Sequence, residues 1–196
     1  MKTESSIQRI GLFGGTFNPV HLGHTMVARA AVDELVLDRL FIIPAARSPF
    51  KPEDEPAPAA VRLEWLRLAF ADEPRCEIDA QEIEREGVSY SIDTVREVAE
   101  RFPEAELFYL IGADHVSTLP EWREAVALAR LATFVIVPRP GETENQFPEP
   151  FRGQVLRGQP MAISASDIRQ RLREGKSIEH LVPPGVAVAL KTGHIY

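Results

Sequence analysis

Residues 10–24 read IGLFGGTFNPVHLGH. The opening apolar run, Ile10 to Phe13, has the character of a short strand buried on both faces. Gly14 and Gly15 follow where the chain must turn off that strand, and they let backbone N–H groups approach a ligand without side-chain obstruction. Such a turn is a phosphate cradle. Pro19 fixes the backbone after Asn18. His21 and His24, three apart around Gly23, fall near the start of the next helix, so both imidazoles can face one anion and the helix's partial positive charge adds to theirs. A lone histidine is usually structural and a lone Gly-Gly is usually a turn. Their conjunction with Thr16 and Asn18-Pro19 within eleven residues points to function.

Outward from this stretch, apolar runs recur at Leu40 to Ile43, Leu107 to Ile111 and Phe134 to Val137. Helical spacing separates them, in HTMVARAAVDELVL, AAVRLEWLRLAFAD and SIDTVREVAERF. This alternation predicts an α/β fold, a Rossmann-like doubly wound parallel sheet with ligands beyond the strands' carboxyl ends. The chain reads as one domain over 1–196: a core to about 160 and a small C-terminal helical part over about 161–196. Two loops follow predicted strands, PAARSPFKPEDEPAP (44–58), suited to act as a flap, and PRPGETENQFPEPFRG (138–153), a solvated connection.

The balance of 29 acidic against 22 basic residues, net −7, argues against a broad nucleic-acid or membrane surface, so anions must be held locally. The single cysteine, Cys76, excludes an internal disulfide framework and reads as a small buried hydrophobe. With neither a signal-peptide core nor a membrane span, the expected location is cytoplasmic. GxxxxGK[ST] and GxGxxG are both absent, which sets aside P-loop and dinucleotide-dehydrogenase readings, and no elbow-placed serine or cysteine nucleophile is present.

A second constellation, ISASDIR (163–169), opens a helix with Ser164 and Ser166 and places Arg169 one turn inside it. Alone it is an ordinary N-cap with a solvated arginine. Beside the first stretch it suggests a polyphosphate held between two helix N-termini.

GGTFNPVHLGH and ISASDIR resemble the two signatures of the nucleotidyltransferase superfamily that carries a (His/Thr)-x-Gly-His motif. SYSIDTV (89–95), LFYLIGAD (107–114), LPEW (119–122), VPRPG (137–141) and LVPPGVAVALKTGHIY resemble further segments of the bacterial nicotinate mononucleotide adenylyltransferases, in their order and from end to end. The resemblance implies adenylyl transfer from ATP to nicotinate mononucleotide, giving nicotinate adenine dinucleotide and pyrophosphate in NAD biosynthesis. It implies His21, His24 and Arg169 as catalytic. For ATP it implies Gly14, Gly15, Thr16, Phe17, His21, His24, Lys51, Gly112, Asp114, Ser164, Ser166 and Arg169. For the pyridine nucleotide it implies Thr16, Phe17, Asn18, Ser91, Trp122, Arg123 and Arg139, with Trp122 stacking on the ring. Magnesium is implied by ATP rather than by any carboxylate cluster, and no protein metal ligand is expected. The chain departs from the resemblance at PAARSPFK (44–51), which keeps Lys51 but lacks the usual Asn and His, with Arg47 available to compensate. The alternatives are a related adenylyl- or cytidylyltransferase such as the phosphopantetheine enzyme, a nucleotide-binding regulatory module without catalysis, or a flavodoxin-like binding domain. Acid-versus-amide preference and assembly as a homo-oligomer are left open.

Overall fold

The computed structural model describes residues 8–47, 49, 56–138, 146–158, 161–193 and 195–196. Among them six strands form one sheet: β1 (Arg9–Gly15), β2 (Arg39–Pro44), β3 (Cys76–Ile78), β4 (Glu106–Gly112), β5 (Thr133–Val137) and β6 (Gly153–Val155). The spatial order is β3-β2-β1-β4-β5-β6, and every neighbouring pair is parallel. The chain winds outward from β1 on one side and from β4 on the other, so the switch of direction lies between these two strands.

The apolar runs are continuous because each strand feeds two cores. Phe13, Leu40, Ile42, Phe108, Leu110 and Val135 belong to one buried cluster. Ile10, Leu12, Phe41, Ile43, Leu107, Tyr109, Ile111, Phe134 and Ile136 belong to the other. Alternation of side chains across the pleat makes that division automatic. The first cluster is closed by α1 (Leu22–Glu34), α2 (Ala59–Ala69), α6 (Ala165–Arg173) and α7 (Pro184–Gly193). The second is closed by α4 (Ser91–Arg101), a 3-10 helix (Ala113–Glu121) and α5 (Ala125–Leu131). Ile168, Val182, Val186 and Leu190 share their cluster with Phe13, Leu35 and Trp65, so the C-terminal helices complete the core of the sheet.

Three features differ from the sequence reading. The edge strands β3 and β6 are three residues each, too short for an apolar run to show. The segment read as a connection over 138–153 ends with Phe151 buried and Gly153 opening β6, where a Cβ would lie 1.9 Å from the Phe134 carbonyl oxygen; only glycine permits that approach. Between β3 and α4 lies one further short helix, α3 (Gln81–Arg85), whose Glu82 is buried and accepts a 2.6 Å hydrogen bond from the Thr94 hydroxyl. Burial holds the Glu82 carboxyl above the usual carboxylate range.

Candidate active site

Gly14 and Gly15 end β1 and Gly112 ends β4, so both predicted nucleotide loops leave adjacent parallel strands at the switch point. Beyond β1, Phe17 adopts φ 49° and folds its ring inward, 2% exposed, against Phe13 (5.6 Å) and edge-on to His24 (4.9 Å). A left-handed backbone at a phenylalanine costs on the order of 1–3 kcal/mol and persists only where the surroundings hold it. Here they do. Arg62, 2% exposed, donates from Nη1 to the Thr16 and Ala45 carbonyl oxygens (2.9 Å each) and from Nε to the Ala57 oxygen (3.0 Å). Arg169 donates from Nη1 to the Asn18 carbonyl oxygen (2.8 Å) and from Nη2 to Ser166 Oγ (3.1 Å). The two signatures are therefore joined directly, through Arg169 and the main chain of Asn18.

His21 is the N-cap of α1 and His24 its third residue. The His21 N–H donates to His24 Nδ1 (3.2 Å), which puts the His24 proton on Nε2 and makes that nitrogen the donor edge. The two rings stack at 3.7 Å between centroids. Gly23 makes room for this: a Cβ there would lie 3.0 Å from His21 Nδ1. Two cations at that separation would repel by about 4 kcal/mol at an effective dielectric of about 20, so at most one ring is charged. Burial pulls His21 from 6.5 down to about 4, so His21 is neutral near pH 7, and its buried Nδ1 has no hydrogen-bond partner among the described residues. The sequence reading of two imidazoles adding like charge toward one anion is corrected to a neutral ring supporting its neighbour.

Ser164 uses its hydroxyl as the N-cap of α6, accepting from the Asp167 N–H (3.1 Å), which is the structural role expected of it in isolation. Asn18 Oδ1 accepts from the Ala57 N–H (3.0 Å) and from the Tyr196 hydroxyl. Its carboxamide is thereby oriented, with both contacts made through Oδ1.

On the β4 side, Ser91 opens α4 and its Oγ lies 2.8 Å from the Tyr109 hydroxyl. Tyr109 is buried, and burial pushes its phenol well above the ordinary range. The same hydroxyl would stand 3.4 Å from a Cβ at Gly14, so Tyr109 connects the glycine turn to Ser91. Trp122 meets Tyr109 edge-on at 6.3 Å and donates from Nε1 to Thr118 Oγ1 (3.2 Å). Arg123 lies over the Tyr90 ring (4.8 Å) and pairs with Asp93 at 3.4 Å. Ser91, Trp122 and Arg123 are thus gathered around Tyr90 and Tyr109. Asp114 stands exposed in the 3-10 helix directly after β4, 3.9 Å from His115.

Lys51 and Arg139 lie outside the described residues. The described start of the altered loop is pinned, the Ala46 N–H to Ser89 Oγ (3.0 Å) and the Ser89 N–H to the Arg47 oxygen (2.9 Å), so Arg47 serves this anchor through its main chain. Arg62 and Tyr109 carry site geometry that sequence reasoning passed over. For Arg62 a signal was present: it shares the 62, 65, 66, 69 stripe of α2 with Trp65, Leu66 and Ala69, an arginine in an apolar face. Among the described residues no group of three or more His, Cys, Asp or Glu side chains is placed to hold a metal ion. No described helix is long and apolar enough to cross a membrane.

A Rossmann-type sheet with a glycine turn, a histidine-capped helix and an arginine-bearing helix at its switch point defines a nucleotidyltransferase class of protein. The cytidylyltransferase-like family profile matches residues 12–171, and the chain belongs to that family. Within it, the chain is 42% identical over 188 residues, 96% of this chain and 99% of the relative, to a Thermus thermophilus protein named probable nicotinate-nucleotide adenylyltransferase. A Geobacillus kaustophilus protein of the same name is 38% identical over 96% of this chain and 86% of its own length. The fold is shared with Plasmodium falciparum nicotinic acid mononucleotide adenylyltransferase, solved with NaAD, at a TM-score of 0.79 and 16% identity, covering 96% of this chain and 97% of that one.

Proposed function

We propose that the protein transfers the adenylyl group of ATP to nicotinate mononucleotide, giving nicotinate adenine dinucleotide and pyrophosphate, a step of NAD biosynthesis. The observation that carries this reading is the hydrogen bond from the His21 N–H to His24 Nδ1, which leaves Nε2 as the donor edge of a ring packed edge-on to Phe17, two residues beyond Gly15. The relatives' names support the choice of substrate.

A phosphate oxygen of the mononucleotide attacks the α-phosphorus of ATP as the bond from that phosphorus to the bridging oxygen breaks, and pyrophosphate leaves with the electron pair. The nucleophile is already ionised near neutral pH, so no general base is required. The protein's task is alignment and stabilisation of developing charge. His24 donates to the transferring phosphate from Nε2. Arg169 and Ser166 face the departing phosphates from α6, and the Gly14–Gly15 turn supplies main-chain N–H groups. Gly112 and Asp114 meet the ribose of ATP. On the other side Trp122 stacks on the pyridine, while the main chain around Ser91 and Arg123 receives its carboxylate.

The groups assigned to the phosphates are N–H and O–H donors, which suit phosphate oxygens and not a divalent cation, and the carboxylate of Asp114 is assigned to the ribose. Magnesium therefore fits as a partner of the ATP phosphates, held by the nucleotide, and when bound it neutralises charge on the leaving pyrophosphate. The test incubates the protein with ATP and magnesium and offers nicotinate mononucleotide, nicotinamide mononucleotide and phosphopantetheine separately while pyrophosphate is measured. Release with nicotinate mononucleotide is expected. Release with none of the three, or with phosphopantetheine alone, overturns the assignment.

A further inference from the structure

Four donors converge on the short segment from Thr16 to Asn18: Arg62 on the Thr16 oxygen, Arg169 on the Asn18 oxygen, and the Ala57 N–H and the Tyr196 hydroxyl on Asn18 Oδ1. Between the gripped residues stands Phe17, in its left-handed backbone, with its ring edge-on to His24. Three of the four donors come from helix α2, its lead-in, and α6, all packed into the core. Tyr196 comes from beyond α7 and reaches back across 178 residues of sequence. Its ring is partly buried, 6.1 Å from that of Trp65. Burial raises its phenol to about 12, so the hydroxyl keeps its proton and acts as donor, in the field of Arg62 and Arg169.

We propose that Tyr196 is a positioning residue for adenylyl transfer: its hydroxyl fixes the Asn18 carboxamide, and through the Asn18–Phe17 main chain it holds the Phe17 ring that sets the pose of His24. The inference rests on the reading of His24 given above. Removing one grip from a strained segment leaves the others in place, so the segment stays folded and samples poses in which Phe17 no longer backs His24. Ground-state binding of ATP depends little on that, whereas the transition state depends on where His24 Nε2 points.

The test compares wild type with Tyr196→Phe, Asn18→Ala and the double variant by pyrophosphate release, with kcat and KM for ATP determined separately and the melting temperature recorded. Tyr196→Phe is expected to lower kcat roughly 5- to 10-fold with KM for ATP within about twofold and the melting temperature held. In the Asn18→Ala background the same change is expected to have no further effect, because the hydroxyl acts only through Asn18. A Tyr196→Phe enzyme with kcat within twofold of wild type overturns the proposal, as does a double variant in which the two losses multiply. A wild-type protein without turnover would instead overturn the functional reading, and the two failures are thus distinct.

Discussion

On the β1 side of the crevice the ligand loop is gripped by its own main chain, Thr16 and Asn18 giving their carbonyl oxygens to the guanidiniums of Arg62 and Arg169. On the β4 side the corresponding residues are held through side chains: Ser91 by the Tyr109 hydroxyl, Trp122 by Thr118, Arg123 by Asp93. Main-chain grips fix a backbone whatever side chain it carries, and they suit the half to which the proposed mechanism assigns the transferring phosphate, whose donors should not reorganise. Side-chain contacts at half-exposed positions adjust more readily, and they suit the half to which the proposed mechanism assigns the acceptor.

The contrast is broken first at Arg62. Arg62→Met keeps the apolar stripe of α2 but leaves the carbonyl oxygens of Thr16, Ala45 and Ala57 without that donor. At about 1–3 kcal/mol for each unpaired group, the Ala57 contact buried and those to Thr16 and Ala45 part-buried, a loss on the order of 4 kcal/mol in urea unfolding is expected. A loss below about 1 kcal/mol would mean that water replaces the guanidinium and that the grip is not what holds the loop.

In the proposed mechanism His24→Ala removes a donor acting mainly in the transition state. A fall of about 10²–10³-fold in kcat is expected, with KM for ATP and the melting temperature little changed. Turnover near wild type would end the role given to Nε2. His21 should report itself through acid stability instead. Burial lowers its pKa from 6.5 to about 4, so on acidification the unfolded chain takes up a proton before the folded chain does. Stability is full above pH 6.5 and drains as pH falls toward about 4, by about 3 kcal/mol over the window. His21→Asn should lack this portion of the acid loss when unfolding is followed at about pH 7.5 and about pH 4.5. A difference between wild type and variant that stays flat across the window would place a charged imidazole in the folded protein.

The two sides also differed in how openly the sequence displayed them. The β1 side was legible as structure because its pattern is local: strand, Gly14-Gly15, then His21 and His24 within one turn of α1. What the spacing of the two histidines could not reveal was their inequality, which depends on burial under the strands and helices around them. Arg62 was hidden for a related reason, since its three acceptors are main-chain oxygens and leave no residue type to notice; only its place on the buried stripe of α2 betrayed it. The central strands were legible as continuous apolar runs because they serve two cores, while β3 and β6, three residues each at the edges, had no run to show. On the β4 side the resemblance named Ser91, Trp122 and Arg123, but Tyr109 read as one more apolar residue of a buried strand. Its hydroxyl, which joins Ser91 to the glycine turn, became visible only in three dimensions.

Trp122 gives the smallest and most discriminating expectation. Its ring meets the Tyr109 and His115 rings edge-on, each at 6.3 Å, and Nε1 donates to Thr118 Oγ1 (3.2 Å), so removing it deletes the proposed stacking platform without touching the Thr16–Asn18 segment. A lost aromatic stack is worth on the order of 1 kcal/mol. Trp122→Ala should therefore raise KM for nicotinate mononucleotide roughly fivefold while KM for ATP stays within about twofold, and Trp122→Phe should recover most of the loss. If KM for ATP rose in parallel, the crevice would not be divided into a braced phosphate half and an adjustable acceptor half. The connection through Tyr109 would then couple them, and Tyr109→Phe, which cuts the Ser91 contact while keeping the ring, would be expected to reproduce the parallel rise.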